Sequence, residues 1–289
     1  MSYGFDTNGD RLDGTFARTY AVDNNNSLTM MCWLKRTAAQ WDAGNGTAMH
    51  ISTIPFDREP GAIIQIGRTQ IDQMSSGRYD AADDQSFANL NFTANLYDDT
   101  WVPVIVVLTN DSLADIYIQD STLTGQSTST RVIGMLLDQI MIGNGPPGAG
   151  GFLDGLVAEV CFWDRALIPA EIDQFWTSAN SGPAPNTVAP ENVIGYYPLD
   201  EDGVLLNFGS DTGGDLTANN AQFDSDHPTI TAGPTQVITR GETVSTFTST
   251  DPGGITEPDI AHTVDPDTTL LLVYIGIEGN ELVSGVPTW

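Results

Sequence analysis

The stretch DQIMIGNGPPGAGGFLDGLVAEVCFWDRALIPAEIDQFW, Asp138–Trp176, decides how this chain is read. IMIG is short and apolar, as a buried strand is. GNGPPGAGG cannot lie inside a helix or strand, because glycine costs backbone entropy and proline lacks a donor. GLVAEVCFW then alternates, with Leu156, Ala158, Val160 and Phe162 on one face and Val157, Glu159, Cys161 and Trp163 on the other. Pro169 stands where a helix starts, and Ile172, Phe175 and Trp176 follow at helical spacing. The order is strand, glycine loop, strand, short helix.

Working outward, short β-rich runs alternate with punctuation every eight to fifteen residues or so: Asn-Gly, Pro-Gly, Asp-Asp, Asp-Gly. SLTMMCWLKRT (Ser27–Thr37), DDTWVPVIVVL (Asp98–Leu108) and DIYIQD (Asp115–Asp120) read as strands, and VIGYYPLDEDG (Val193–Gly203) as another. This is the rhythm of an all-β sandwich. The proline-rich segment Ser178–Asn192 reads as an extended loop joining the helix to the YYPL strand.

Together these pieces resemble the concanavalin A-like, laminin-G-like jelly roll. The resemblance rests on the D-G-x-x-x-E-V strand at Asp154–Val160, the R-A-L-x-x-x-E-I helix at Arg165–Ile172, the tryptophan followed by a basic residue at Trp33–Lys35, the tryptophan at 101, and the aromatic-Pro-Leu-Asp segment at Tyr197–Asp200. In many members the last segment opens the domain. Here it follows the helix, so the order is circularly shifted, which a jelly roll with neighbouring termini tolerates. The resemblance implies a two-sheet antiparallel sandwich over residues 1–233. Met30, Cys32, Leu34, Val104, Val106, Leu108, Ile140, Val160 and Phe162 are expected in or beside its core, with helix confined largely to about Pro169–Ser178.

Residues 234–289 differ in composition: Thr-rich at first, then TTLLLVYIGIEGNELVSGV. Leu270–Ile277 is apolar at almost every position and needs cover on both faces. The segment is expected to be a C-terminal β segment, an assembly arm or the start of a second β domain that pairs with another subunit.

The 289 residues carry 38 acidic against 10 basic side chains, a net charge of −28, and Lys35 is the only lysine. Such a surface repels phosphate backbones and anionic bilayers, so neither nucleic acid nor membrane is expected as a partner. The acids read as a solubility surface, with calcium the one candidate cofactor. Asp6, Asn8 and Asp10 have EF-hand ligand spacing, but Arg11 and Ala17 stand where that loop needs glycine and glutamate. The stretch is therefore read as a turn, and no metal site is assigned. His50, His227 and His262 are isolated from each other and from cysteine, so zinc spacing is absent. Cys32 is in phase with the core residues Met30 and Leu34, and Cys161 with Glu159 and Trp163, so the two are expected to stay reduced.

EIDQFW at 171–176 is compared with the Glu-x-Asp-x-x-Glu strand of laminarinase-type glucanases. Trp176 occupies the third carboxylate position and the phasing is helical, so no catalytic residues are assigned and no enzyme is expected. Two residues are named for carbohydrate binding: Trp41, as a loop aromatic exposed for stacking, and Asp154, which the family resemblance places near a rim sugar site. Trp33, Trp101 and Trp163 are read as core. The opening MSYGFDTNGDRLDG shows no export signal, while the fold it resembles is usually extracellular. A bacteriophage virion protein, made in the host cytoplasm and released by lysis, reconciles the two. The expected function is a non-enzymatic virion component: a capsid decoration, head-fibre or tail-fibre protein that binds glycans, forms homo-oligomers and contacts other virion proteins. The alternative is a carbohydrate-binding module of a bacterial extracellular or cell-surface protein.

Overall fold

A computed structural model describes residues 2–7, 9–23, 25–43, 46–52, 61–66, 73–79, 85–91, 98–109, 113–128, 135–145, 151–178, 180–200, 202–203 and 205–231. The expectations for residues 234–289 lie outside the described residues. The strands are β1 (Ser2–Phe5), β2 (Arg11–Val22), β3 (Leu28–Lys35), β4 (Gly46–Ser52), β5 (Gly61–Ile66), β6 (Gln73–Tyr79), β7 (Gln85–Asn91), β8 (Val102–Leu108), β9 (Leu113–Ile118), β10 (Asp120–Thr128), β11 (Met135–Ile142), β12 (Gly155–Trp163), β13 (Ser181–Pro183), β14 (Val193–Tyr197), β15 (Thr217–Asn219), β16 (Gln222–Asp224) and β17 (Thr229–Thr231).

They form a two-sheet antiparallel sandwich, as the sequence predicts. One sheet runs β10-β9-β8-β3-β12-β1-β16 and the other β15-β2-β11-β4-β5-β6-β7. All nine predicted core residues are in the cluster between the sheets. The segment Val193–Tyr197 pairs antiparallel with β12, with Cys161 opposite Tyr196. It shares one edge of β12 with β1, which pairs with residues 155–157. β13 and β17 form a separate two-stranded parallel ribbon.

At its centre, along β3, β8 and β12, the first sheet is buried on both faces. Its outer face carries a second apolar layer built on Met31, Trp33, Trp101, Ile105, Val107, Cys161 and Trp163. Such two-sided burial is why β3 and β8 read as nearly continuous apolar runs rather than alternating ones. The cover is the helix α2 (Pro169–Ile172), continued by a 3₁₀ turn at Asp173–Phe175, and the loop to β14. A helix this short is not stable by itself. Burying Ile172 and Phe175 completely contributes about 1.5–3 kcal/mol each. Glu171 holds its start, accepting the Ile168 N–H at 2.9 Å while pairing with Arg165 at 2.5 Å.

Three expectations need correction. The alternation along β12 breaks at Glu159, where the pairing to β3 shifts register between Ala158 and Cys161 and φ is +52°. This β-bulge adds one residue and reverses the phase. Val157, not Leu156, therefore shares the inner core with Val160 and Phe162, while Ala158 joins Cys161 and Trp163 outside. Helix is not confined to the segment after Pro169, because α1 spans Ala38–Ala43. Its start is a capping box: Thr37 N–H donates to Gln40 Oε1 at 2.8 Å, and Gln40 N–H points back at Thr37 Oγ1 at 3.4 Å. Trp41 therefore lies in a helix, not an exposed loop.

The two cysteines are free and buried, Cys32 in the inner core and Cys161 in the outer layer. At Gly143 φ is +83° and a Cβ would lie 1.9 Å from the Phe5 ring, so the glycine loop begins where only glycine fits.

Candidate functional site

With the outer face of the first sheet covered, the outer face of the second is where a site can form. Leu12, Ile142 and Met49 are aligned across β2, β11 and β4 and point into the core. Their neighbours one residue on therefore point out. One outward row is Thr217, Asp13, Met141 and His50, and the next is Thr15, Gln139 and Ser52.

These two rows line a groove of about 520 Å³ that also takes in Asp215 and Asn219. Thr15 is exposed, while His50 and Ser52 are each about 1% exposed. The groove thus runs from an open side at β2 to a sheltered one at β4.

Hydrogen bonds set the lining. Thr15 Oγ1 donates to Gln139 Oε1 at 2.9 Å, and Gln139 Nε2 donates to Asp138 at 2.8 Å. Asp13 Oδ2 accepts from Asn219 Nδ2 at 2.7 Å and Arg11 Nε at 2.8 Å. Burial nonetheless raises the Asp13 pKa above its ordinary value, against the pull of Arg11, and its Oδ1 is buried with no hydrogen-bond partner among the described residues. Asp215 is fixed by the Asn207 N–H at 2.9 Å. Polar side chains of both hydrogen-bonding senses, a central methionine and a shallow open form suit a polyhydroxylated ligand.

The loop that carries Asp215 is anchored by two side chains. Asn207 Nδ2 donates to the carbonyls of Ile194, Asp211 and Gly213, and its Oδ1 accepts from Tyr196 N and Gly209 N. Asp211, with its side chain 1% exposed, accepts from Ala17 N, Gly213 N and Tyr20 Oη at 2.7–2.8 Å. Burial works to raise the Asp211 pKa, but these hydrogen bonds outweigh it and hold the carboxyl below its ordinary value. Tyr20, also buried, is pushed up to about 12.

Trp41 and Asp154 come together through Arg36 and Gln40. Trp41 is 1% exposed and packs in the inner core, which corrects its assignment as an exposed stacking residue. The guanidinium of Arg36 lies 5.4 Å over its ring and donates to the Asp154 main-chain oxygen at 2.8 Å. Gln40, beside Trp41, donates to the Asp154 carboxylate at 2.9 Å. Burial lowers the Arg36 pKa to about 10, against the charge of Asp154. Asp154 itself, at φ +49°, lines a smaller cleft of about 180 Å³ with Asp6, Gln222 and Asp224.

The other singled-out residues are in structural service. Asp10 closes its turn by accepting from Asp6 N, Thr7 N and Thr7 Oγ1. Glu171 and Asp173 lie on the helix and its 3₁₀ turn, not on a strand, bound respectively to Arg165 and to Ser121 N. Trp33, Trp101 and Trp163 are buried, and Trp176 stacks on Trp33 with centroids 6.3 Å apart. On the bulge, Glu159 accepts from Tyr196 Oη at 2.7 Å and lies 3.2 Å from His227 Nε2. No group of three or more metal-ligating side chains is found among the described residues, and no described helix is long and apolar enough to cross a membrane.

Residues 11–173 match the family Laminin_G_3, described as the concanavalin A-like lectin/glucanases superfamily. No curated protein matches the chain by sequence. Among solved structures, it is similar to a native heptameric SAP-like pentraxin from Limulus polyphemus, with TM-score 0.44 and 14% identity over 75% of this chain and 94% of that one. It is similar to the botulinum neurotoxin serotype G binding domain, with TM-score 0.41 and 14% identity over 54% of this chain and 36% of that one. It is also similar to full-length tailspike protein 2 of an Escherichia coli O157:H7 bacteriophage, with TM-score 0.44 and 12% identity over 69% of this chain and 28% of that one. The chain thus spans about a third of the neurotoxin binding-domain chain and little over a quarter of the tailspike.

Proposed function

The chain belongs to the concanavalin A-like lectin/glucanase superfamily, and from that premise we propose that it is a non-enzymatic, glycan-binding structural protein of a virus particle, a capsid decoration or a head- or tail-fibre component. The groove across β15, β2, β11 and β4 carries the glycan reading. It is concave, open at one side, and lined by side chains that pair with hydroxyl groups around an apolar centre.

Two free, buried thiols suit folding in a reducing host cytoplasm, and a net charge of −28 suits a particle surface that must remain soluble. Partners are other virion proteins and further copies of the chain. The carboxylates of Glu171 and Asp173 are engaged in fold contacts, which supports binding without hydrolysis.

A glycan array probed with the full chain and with a Gln139→Trp variant, which fills the groove, tests the binding. Signals that the variant loses support the reading. Turnover of laminarin that Glu171→Gln abolishes would make the protein a glucanase instead. Imaging of the parent particle tests the virion role: density for this sandwich on the particle supports it, and a gene set for cell-surface display without capsid or tail genes points to a bacterial binding module.

A further inference from the structure

We infer that the groove selects uncharged oligosaccharides and turns away sialylated, uronic or sulfated ones, an assignment that rests on the glycan reading above. Four observations carry it. The first is the charge facing the ligand. Asp13 and Asp215 line the groove, and the Arg11 guanidinium beside Asp13 is already bound to it at 2.8 Å. An anionic sugar would place like charges together in a partly desolvated site, where screening is weakest.

The second is the rest of the lining. Thr15, Gln139, Ser52 and Thr217 are neutral hydrogen-bonding side chains, the kind that read hydroxyls. Met141 stands between Asp13 and His50 in the outward row, giving an apolar seat for the C–H face of a sugar ring. The third is reach. The outward row crosses four strands, which at about 4.8 Å per strand spans roughly 14 Å, room for a short oligosaccharide rather than one ring. Fourth, the field of 38 acids against 10 bases repels anions before they arrive.

The test is an array carrying neutral glycans beside their sialylated, uronic and sulfated counterparts, probed with the full chain at low and high salt. Neutral members should bind at least about tenfold more tightly than their anionic counterparts at low salt, and the gap should narrow as salt shortens the screening length. Asp13→Asn, which keeps the side-chain shape, should narrow the low-salt gap about threefold or more with the fold checked by thermal melting. If that variant melts early, the salt series on the unaltered chain decides. Anionic glycans binding as tightly as neutral ones at low salt would overturn this inference while leaving glycan binding intact. So would a preference indifferent to both salt and Asp13→Asn. Binding of neither class would overturn the glycan reading, and this selectivity with it.

Discussion

Replacing Asp211 with alanine tests whether the loop bearing Asp215 is held as described. The Asp211 side chain is 1% exposed and accepts three hydrogen bonds, from Ala17 N, Gly213 N and Tyr20 Oη. Hydrogen bonds to an ionised acceptor are worth about 1.5–3 kcal/mol each, and donors left buried without a partner cost about 1–3 kcal/mol each. The three are not additive, since one carboxylate serves all of them. A loss of about 3–5 kcal/mol is therefore expected. For a domain of this size that is a fall in Tm of roughly 6–20 °C. Asp211→Asn, which keeps the shape and one acceptor, should lose about half as much. The exposed Asp200→Ala should stay within about 0.5 kcal/mol of the parent. The same carboxylate sets a pH dependence. Its folded pKa is lower than its unfolded one, so the unfolded chain binds the proton more tightly. The contribution is fully present above the ordinary carboxylate value of 3.8 and is lost as pH falls through the lower folded value. Asp211→Asn should therefore flatten the acid limb of the stability curve. Urea unfolding across pH measures both effects. A change under about 1 kcal/mol for Asp211→Ala, or an acid limb unchanged in Asp211→Asn, would refute the anchoring role.

Other outcomes follow from the packing. Cys32 and Cys161 should resist a thiol reagent in the folded chain, where burial raises both pKa values, and both should titrate in the denatured, unreduced chain; finding neither thiol would mean they are joined. Tyr196→Phe should cost about 1–3 kcal/mol by leaving the buried Glu159 without its hydroxyl donor, and the loss should shrink in a Glu159→Ala background, which removes the acceptor, if the two act as a pair. Gly209→Ala should cost about 1–3 kcal/mol, since its Cβ would lie 2.4 Å from the Ile194 carbonyl; a melting curve like the parent's would show that the loop can shift.

How much of this was legible beforehand depended on the distance over which residues must be compared. Strand phase is local, so Met30, Cys32 and Leu34 could be assigned to one core, and Cys161 to the other face, from their own neighbours. That logic failed for Leu156 and Val157, because one residue in a bulge at Glu159 reverses the phase and alternation carries no mark of it. The helix at Ala38–Ala43 was marked by the capping box Thr37-x-x-Gln40, but only one turn follows, too short for a periodic signal. Trp41 was misplaced as a consequence. The groove was out of reach. Asp13, His50, Gln139 and Thr217 come from four strands far apart in the chain, and only the register between β15, β2, β11 and β4 sets them side by side. Asp154, named by resemblance, lines a separate small cleft and is bound to Gln40.

The proposed glycan site is tested directly by an NMR titration of the labelled chain with the strongest neutral glycan from the array. Amide shifts should concentrate at Asp13–Thr15, His50–Ser52, Gln139–Met141 and Thr217–Asn219, with His50 and Gln139 side-chain signals moving in step. Shifts gathered instead around Asp154 and Gln222, or on the helix-covered face at Ile172–Trp176, would contradict a sugar-binding groove on the second sheet.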